Sequence, residues 1–371
     1  MKTKKILILA ILFNCLGLES QNKDKNIEVL TVAFYNVENL FDTINDTTVR
    51  DEASPIMEMN ENVRFSVYEK KLNNISAVIA DIGRDLTKRP PVIVGLCEVE
   101  NRKVVEDLVK TENLKNYNYG IIHFDSPDER GIDVSLIYQQ LFFTPKNLKS
   151  YSLKLYDSDG DRDFTRDQLL VNGDLLGEEI NFLVHHWPSR SGGQKTSEPK
   201  RIEAAKLNKK IIDSLINLNY DSKIINMGDF NDDPVNRSIS QILDVKQKIM
   251  SSNFSNYLYN TMSPFFKNGI GTSAYRNNWN VLDQIHVSSS LLNKENKGWL
   301  FWKANIFNKP FLINKEGRYK GYPFRSFAGG KFLGGYSDHF PVYLYLFRAV
   351  SYTHLRAHET RHDLVCRLLL E

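Results

Sequence analysis

The chain has 371 residues, a formal net charge of +3 and three cysteines. Its length would allow two domains, but single large sheet domains reach roughly 250 residues or more, so we predict one. The small net charge excludes a strongly basic nucleic-acid-binding domain, but it argues neither for nor decisively against DNA as a ligand.

Residues 1–21 have the pattern of a secretory signal. Three lysines among the first five residues precede the apolar run Ile6 to Phe13, after which the residues are smaller or polar. This run is shorter than the roughly 20 residues that span a membrane. Lipid attachment at Cys15 is a less favoured alternative, because the residues before it are not small. We therefore expect a secreted or periplasmic protein.

Apolar runs predict eight strands and two helices along the remaining chain. The strands are Leu30 to Asn36, Val92 to Glu98, Tyr119 to Phe124, Asp133 to Tyr138, Ile180 to His186, Lys223 to Met227, Val281 to Val287 and Phe340 to Phe347. Helical spacing relates Leu72, Ile75, Ile79 and Ile82, and again Ala204, Leu207, Ile211 and Leu215. This mixture of hairpin-like pairs and crossovers predicts two packed sheets covered by helices.

Two stretches have the composition of insertions. Tyr156 to Gly177 is rich in Asp and Gly, but Asp157 to Asp163 lacks the glycine and the closing glutamate of an EF-hand, so we expect a solvated acidic turn. Lys315 to Gly335 interleaves basic and aromatic residues. Such a segment can stack bases and hold phosphates, or it can be an ordinary loop that packs its aromatic side chains onto the domain.

Acidic, amide and histidine side chains recur at the ends of the predicted strands. They are Asn36, Glu98, His186, Asp229 with Asn231, and Asp338 with His339 before the last strand. Each alone is typical of a turn. Together they predict a site, because strand ends are where sheet proteins gather catalytic groups.

Two motifs resemble the paired signatures of the endonuclease/exonuclease/phosphatase superfamily. The first is Gly228 to Asn231 followed by Asp232-Asp233-Pro234, and the second is Ser337 to Val342. An early Asn36, then Glu98, a mid-chain His186 and Asp283 between the two motifs follow the same order. The resemblance extends from about Leu30 to Phe347. It implies a four-layer α/β sandwich, with two packed, mostly antiparallel sheets flanked by helices, and a metal-dependent phosphoesterase activity.

The resemblance implies a Mg²⁺ site, with Mn²⁺ as an alternative ion, formed by Asn36, Glu98 and Asp338. Glu98 supplies a hard oxygen ligand, and Mg²⁺ binds one or two protein carboxylates while it keeps several waters. Asn36 would hold the metal or orient water bound to the acid.

The proposed catalytic residues are His186, Asp229, Asn231, Asp283 and His339. Asp229 would position or deprotonate the attacking water, and Asn231 would lie on the same side if the chain stays extended. His339 would act as the base or stabilise the phosphate, and Asp283 would accept a hydrogen bond from it and fix its tautomer.

The tandem His185-His186 requires a choice, because neighbouring strand residues face opposite sides. We choose His186, which directly precedes Trp187 as in related sequences. Ser189 and Arg190 follow and are candidates for phosphate binding, although a turn is the simpler interpretation. Arg130 lies in a family-like stretch and is a third phosphate candidate.

Only Cys97 lies between the predicted signal and residues 349–371, so no internal disulfide is expected, and Cys97 is interpreted as a buried apolar residue. Residues 349–371 differ in character from the domain. They contain His358, Glu359 and His362 in a formal HExxH pattern, which without a third ligand and a cleft does not predict a zinc site. The predicted organisation is a signal at 1–21, one domain at 22–348 and a non-native tail at 349–371.

The leading hypothesis is a nuclease for DNA or RNA that acts as a monomer without a stable protein partner. One alternative is a phosphatase or a sphingomyelinase-like phospholipase, for which the substrate is a phosphorylated small molecule or a phospholipid. Another is a binding protein that has kept the fold and lost catalysis, but the presence of all the polar positions argues against it. Fold alone does not decide among them.

Overall fold

The computed structural model describes residues 26–250 and 256–350. Contacts divide the chain into the unit Glu28–Arg348 and a second unit, Met1–Ile27 with Ala349–Glu371. Of the second unit only the strand ends at 26–27 and 349–350 are described. The predicted signal, Cys15, the HExxH pattern at His358 and Cys366 lie outside the described residues, and those predictions stay untested.

The described chain contains both strands and helices. The strands are β1 (Asn26–Leu40), β2 (Ile93–Val99), β3 (Tyr119–His123), β4 (Asp133–Gln139), β5 (Phe143–Tyr151), β6 (Leu155–Tyr156), β7 (Arg162–Asp163), β8 (Gln168–Leu175), β9 (Glu179–His186), β10 (Ile224–Asp229), β11 (Leu258–Asn260), β12 (Ser273–Tyr275), β13 (Asn278–Asn280), β14 (Asp283–Ser288), β15 (Leu300–Ile306), β16 (Phe327–Ala328), β17 (Lys331–Phe332) and β18 (Val342–Val350). The α-helices are α1 (Glu61–Asp81), α2 (Arg84–Thr87), α3 (Arg102–Val109), α4 (Gln194–Leu218) and α5 (Ser263–Lys267). The strands β3 to β9 follow one another without an intervening helix. Short 3₁₀ or π turns occupy Asp51–Ala53, Lys115–Tyr117, Ser238–Ile242, Ser289–Leu291 and Pro310–Leu312. Among these described helices, none is long and apolar enough to cross a membrane.

Two six-stranded sheets form the centre of the fold. The first has the order β15-β18-β1-β2-β4-β3, and the second has the order β11-β14-β10-β9-β8-β5. Each sheet contains a parallel pair near its middle, β1 with β2 and β9 with β10. The pairs β2–β4, β3–β4 and β15–β18 of the first sheet are antiparallel, as are β8–β9, β5–β8, β10–β14 and β11–β14 of the second.

Helices cover the outer faces of the two sheets, which pack against each other through apolar side chains. Met227 on β10 reaches Gly95 on β2, so closely that a Cβ at Gly95 would lie 3.1 Å from the Met227 methyl carbon. Ile75 and Val78 of α1 belong to this larger core, whereas Ala204 and Ile211 of α4 belong to a second core on the other side of the second sheet. The predicted four-layer α/β sandwich is therefore confirmed. Cys97 is a buried free cysteine, as predicted.

One predicted insertion is wrong in part. Residues 168–175 form β8, an inner strand of the second sheet, rather than a surface insertion. Asn172, Gly173 and Asp174 interrupt the apolar pattern of this strand. The sheet accommodates Asn172 because its side chain donates a hydrogen bond to Asn181 on the neighbouring strand β9. The preceding turn is solvated as expected, since residues 157–161 are exposed. Asp157 closes this turn by accepting the backbone N–H groups of Asp159 and Asp161.

Candidate active site

The carboxyl ends of the two parallel strand pairs lie together and bring the polar side chains into one cleft. On β1 and β2, Asn36 is opposite Cys97, where the regular pairing of the two strands is interrupted, so Asn36 and Glu98 lie side by side at this end of the regular pairing. On β9 and β10, His186 is opposite Asp229. Asp283, the first residue of β14, is opposite Asp229 on its other side. Each sheet therefore contributes the ends of adjacent strands to the same place.

Irregular backbone directs several of these side chains. Glu98 has a φ of 61° at a register shift between β2 and β4, and Asn231 has a φ of 51°. Glu38 and Asn39 also have positive φ values, 50° and 54°, where β1 shifts register against β2. A bulge re-aims a side chain at the cost of strain, and such residues concentrate at functional sites.

Asn36 links the two sheets. Its Nδ2 donates to Glu98 Oε1 at 3.2 Å and to Asp229 Oδ2 at 3.1 Å. Its Oδ1 accepts the backbone N–H of Glu38 at 2.9 Å. The amide therefore orients two carboxylates, one from each sheet, and the expected roles of Asn36 in holding the metal or orienting water stay predictions.

His186 faces the same two carboxylates without bonding them. Its Nε2 lies 3.8 Å from Glu98 Oε1 and 3.9 Å from Asp229 Oδ2, too far for a direct hydrogen bond. Burial lowers the pKa of His186 well below its usual value, and the guanidinium groups of Arg166 and Arg130 lower it further. The imidazole is therefore neutral, and a small oxygen ligand between these groups would be within reach of all three.

His339 is held by Asp283. The two side chains are joined by a 2.7 Å contact between Nδ1 and Oδ2, and Nδ1 lies 3.9 Å from Asp229 Oδ2. Burial lowers the pKa of His339, but the carboxylates of Asp283 and Asp229 outweigh it, so the pKa is raised well above its usual value. Because Asp283 occupies Nδ1, Nε2 is the nitrogen left for a substrate oxygen.

Asp229 is a buried acid with a shifted pKa. Burial raises the pKa of Asp229 to about 6, against the lowering effect of His339. Its Oδ1 accepts the backbone N–H of Asn231 at 2.9 Å. The carboxylate is therefore fixed, and its pKa lies close to neutral pH, as a general base requires.

Arg190 holds the loop after β10. Its Nε donates to the Asn231 carbonyl at 2.7 Å, and its two terminal nitrogens bond Asn280 at 2.9 Å and Asp233 at 3.0 Å. The Asn231 side chain in turn donates to the Trp187 carbonyl at 2.9 Å. Arg190 is thus engaged in positioning this loop, and phosphate binding by it stays a prediction. Ser189 is exposed, and its hydroxyl accepts the Ser191 N–H at 3.4 Å, as in a turn.

Asp338 is joined to a second buried acid by an arginine. Arg325 donates from Nε to Glu38 at 3.0 Å and from a terminal nitrogen to Asp338 Oδ2 at 3.2 Å. Burial raises the pKa of Glu38 to about 7, together with the charge of Asp338. Beneath them Lys71 donates to the Val37 carbonyl at 2.9 Å and to the Ser326 hydroxyl at 2.7 Å. The predicted loop 315–335 is therefore fastened to the site.

Arg166 supports the end of β9. Its Nη2 donates to the Trp187 carbonyl at 2.8 Å, its Nε to the His186 carbonyl at 3.3 Å, and its Nη1 to Asp128 at 2.8 Å. Arg130, two residues after Asp128, keeps a half-exposed side chain. Arg130 is therefore accessible to a ligand, and its role in phosphate binding stays a prediction.

Four of these residues were absent from the predicted site: Glu38, Lys71, Arg166 and Arg325. Lys71 had a usable signal, because it lies four residues before Ile75 and so on the apolar stripe of α1. Arg325 lies in the basic and aromatic segment Lys315 to Gly335, but the sequence did not distinguish it from the other basic residues of that segment. Arg166 lies just before β8. Because this strand was not predicted from the sequence, Arg166 could not be recognised as a residue next to a strand end.

The residues fit a hard divalent cation. The carboxylates of Glu98 and Asp338 remain 15% and 36% exposed, so both reach the cleft. Arg325 interacts electrostatically with both, and Asp338 and Glu38 raise its pKa in spite of burial, which by itself lowers it. An all-oxygen donor set of this kind suits Mg²⁺ or Mn²⁺. Asp229, Asp283 and His339 also lie close enough together to hold a metal ion. The imidazole of His339, however, is already hydrogen-bonded to the carboxylate of Asp283.

Comparison with known proteins gives one family match. The sequence profile of the endonuclease/exonuclease/phosphatase family matches residues 31–348. No curated protein sequence matches the chain. Three similar solved structures are a Bacteroides thetaiotaomicron protein of this family (16% identity, TM-score 0.52, 90% of this chain and 100% of that one), a humanized D. rerio TDP2 (13%, 0.52, 86% and 98%) and the human nocturnin catalytic domain with bound sulfate anion (14%, 0.51, 88% and 98%). At these identities the likeness shows the fold.

Proposed function

This chain belongs to the endonuclease/exonuclease/phosphatase family, whose members hydrolyse phosphoester bonds, and we propose that it is a metal-dependent nuclease that cuts phosphodiester bonds of DNA or RNA. The observation that supports this most is the convergence of Asn36, Glu98, His186, Asp229, Asp283 and His339 at neighbouring strand ends. The pairing of His339 with Asp283 at 2.7 Å is part of it.

Asp229 is the proposed base. Its pKa of about 6 leaves it mostly ionised at neutral pH, yet basic enough to take a proton from water. The hydrogen bonds from Asn36 and from the Asn231 backbone fix the direction of its oxygens. A water held against Asp229 would therefore meet the phosphorus from a defined side.

His339 and His186 are the proposed phosphate contacts, with different charges. His339 is an imidazolium held by Asp283, so it offers a charged N–H to a phosphate oxygen as negative charge grows there. His186 is neutral and can donate or accept without adding charge. Removing either should slow turnover more than it weakens binding.

Glu98 and Asp338 are the residues that would hold a divalent metal, with Asn36 orienting Glu98. When bound, such an ion supplies positive charge that offsets the phosphate and the leaving oxygen. In the chain itself, Asn36 and the backbone N–H of Asn39 keep Glu98 in place for that task.

Nucleic acid is the proposed substrate, and export is the proposed location. D. rerio TDP2, which shares the fold at a TM-score of 0.52 and 13% identity, is known in complex with a single-strand DNA product, which supports testing DNA first. Export rests on the lysines and the apolar run at the start of the sequence. We expect the protein to act as a monomer.

The test is a panel of substrates with the purified protein in Mg²⁺ or Mn²⁺. Plasmid DNA, RNA, inositol phosphates and sphingomyelin are incubated in parallel, each with and without excess chelator. We expect cleavage of DNA or RNA that the chelator abolishes. Hydrolysis of inositol phosphates or sphingomyelin alone would replace nuclease by phosphatase or phospholipase, and inactivity on all four would contradict the proposal.

A further inference from the structure

We propose that a row of aromatic side chains beside His339 binds single-stranded nucleic acid by stacking on its bases. The aromatic row consists of Phe340, Trp279, Tyr322 and Tyr319. This inference rests on the proposed function, and it adds the form of the substrate and the surface that binds the strand next to the cleaved phosphate.

The aromatic row is continuous and begins directly after His339. Trp279 stacks on Phe340 with ring centroids 6.0 Å apart and an interplanar angle of 14°. Tyr322 follows at 5.9 Å from Trp279, and Tyr319 at 5.8 Å from Tyr322. Phe340 is buried, so the row is anchored in the core at one end. Its other members follow at nearly even spacing.

The outer members of the row are open to solvent. Trp279 is 37% exposed and Tyr319 is 52% exposed, and Tyr275 on the same hairpin is 66% exposed. Exposed apolar side chains that lie next to one another mark binding surfaces, whereas scattered ones do not. Each keeps a ring surface on which a base could stack.

The segments that bear the row are tied to each other and to the site. Tyr322 Oη accepts the backbone N–H of Asn277 at 2.7 Å and donates to Asn277 Oδ1 at 2.8 Å, which joins the 315–335 loop to the β12–β13 hairpin. Thr272, just before β12, accepts the Phe340 N–H at 2.7 Å through its carbonyl and the Asp283 N–H at 3.2 Å through its hydroxyl. The row is therefore held in place relative to Asp283 and His339.

Positive charge accompanies the exposed rings. The guanidinium of Arg276 lies 5.1 Å from the Tyr275 ring centroid, and that of Arg318 lies 5.8 Å from the Tyr319 centroid. Among the described residues, Arg276 and Arg318 have no ion pair in the structure with an acidic side chain. They can therefore meet backbone phosphates while the neighbouring rings meet bases, which is the combination that single-strand binders use.

The same features disfavour a duplex. In a duplex the faces of the bases are covered by their neighbours, so rings like Trp279 and Tyr319 would have nothing to stack on. Duplex binding depends instead on many phosphate contacts from a strongly basic surface, and the whole chain has a net charge of only +3.

The experiment measures binding of a fluorescein-labelled, twelve-nucleotide oligothymidylate to the full chain by fluorescence anisotropy. Excess EDTA prevents cleavage, and the same oligonucleotide annealed to its complement serves as the duplex. We expect the single strand to bind at least about tenfold more tightly than the duplex. Tyr319→Ala should weaken single-strand binding about tenfold, the usual effect of losing one base–aromatic stack, and Tyr275→Ala should act in the same direction.

Two matched variants separate stacking from other effects. Tyr319→Phe keeps the ring and should bind like the wild type. Tyr220→Ala removes a tyrosine that is 54% exposed at the opposite end of β10 from Asp229, and it should also bind like the wild type. Hydrolysis of bis(p-nitrophenyl) phosphate in Mg²⁺, a small diester without bases, should likewise be unchanged in Tyr220→Ala.

The outcomes distinguish this inference from the proposed function. Hydrolysis of the small diester without measurable oligonucleotide binding would overturn the aromatic row and leave a phosphoesterase. Tight single-strand binding that Tyr319→Ala weakens, without any hydrolysis, would support the row and contradict the nuclease. Equal binding of duplex and single strand, or wild-type binding by both Tyr319→Ala and Tyr275→Ala, would overturn the inference.

Discussion

The adjacent histidines 185 and 186 should have separable effects, the first on stability and the second on turnover. His185 is fully buried on the opposite face of β9 from the site. Its Nε2 lies 2.5 Å from Asn226 Oδ1, and Asn226 is also bonded to Asn208 on α4 and to His286 on β14. Its Nδ1 has no partner among the described residues. Protonation would therefore place an N–H at Nδ1 with no acceptor.

The consequence is acid sensitivity with a defined sign. Burial lowers the pKa of His185 to about 4 and that of His286 to about 3. Because the unfolded chain takes up these protons near pH 6.5, the stability contributed by the neutral histidines is present above that pH and is lost as the pH falls toward 4. At pH 5 each histidine should cost about 2 kcal/mol of unfolding free energy relative to pH 8.

The variant His185→Gln tests this without removing the donor to Asn226. We expect urea unfolding, followed by circular dichroism at pH 8 and pH 5, to show a loss of stability between the two pH values that is about 2 kcal/mol smaller than in the wild type. The buried carboxyls of Asp229, Glu38 and Glu100 have raised pKa values and act in the opposite sense, but they are common to both proteins.

At pH 8, His185→Gln should keep its turnover, whereas His186→Ala should lose roughly two or more orders of magnitude. An equal pH dependence in both proteins would refute the buried-histidine argument, and an inactive His185→Gln with an active His186→Ala would reverse the assignment of the two faces.

Three further predictions follow from the site. Glu98→Gln should lose activity chiefly by weaker metal binding, since an amide is a poorer ligand for Mg²⁺; a titration should recover part of the rate at high Mg²⁺, and a rate that stays flat would contradict this role. Gly228→Ala should destabilise the end of β10 by about 1–3 kcal/mol, because its Cβ would lie 2.6 Å from the His185 carbonyl oxygen; an unchanged midpoint of thermal unfolding would show that the strands can separate without cost. Deletion of residues 349–371 should leave turnover intact, and an inactive truncated chain would mean that these residues belong to the functional protein.

The sequence predicted the core strands of the fold because these strands are largely apolar. β2, β9 and β10 are buried on both faces, so their residues form apolar runs with a polar residue near the end, interrupted only by Asn181 in β9 and Asn226 in β10. β5 was missed because it lies at a sheet edge, is half exposed and contains Pro145. β8 was missed because its polar residues are satisfied by neighbouring strands, a contact that no local pattern encodes.

The same distinction explains which site residues could be predicted. Asn36, Glu98, His186 and Asp229 end apolar strands, so position along the chain was enough to select them. Glu38 and Arg325 are nearly three hundred residues apart in sequence and meet only because a bulge at Glu38 and the 315–335 loop approach the same point. Pairings of this kind depend on tertiary packing.

The central claim is that these residues form one metal-dependent site for phosphoester hydrolysis. The most direct measurement is the rate of single-stranded DNA cleavage in Mg²⁺ by the wild type, Asp229→Asn and His339→Ala, with far-UV circular dichroism to confirm folding and a parallel reaction in excess chelator. We predict cleavage by the wild type that the chelator abolishes, and a loss of roughly two or more orders of magnitude in each folded variant. Undiminished cleavage by both variants, or by the wild type in excess chelator, would contradict the account.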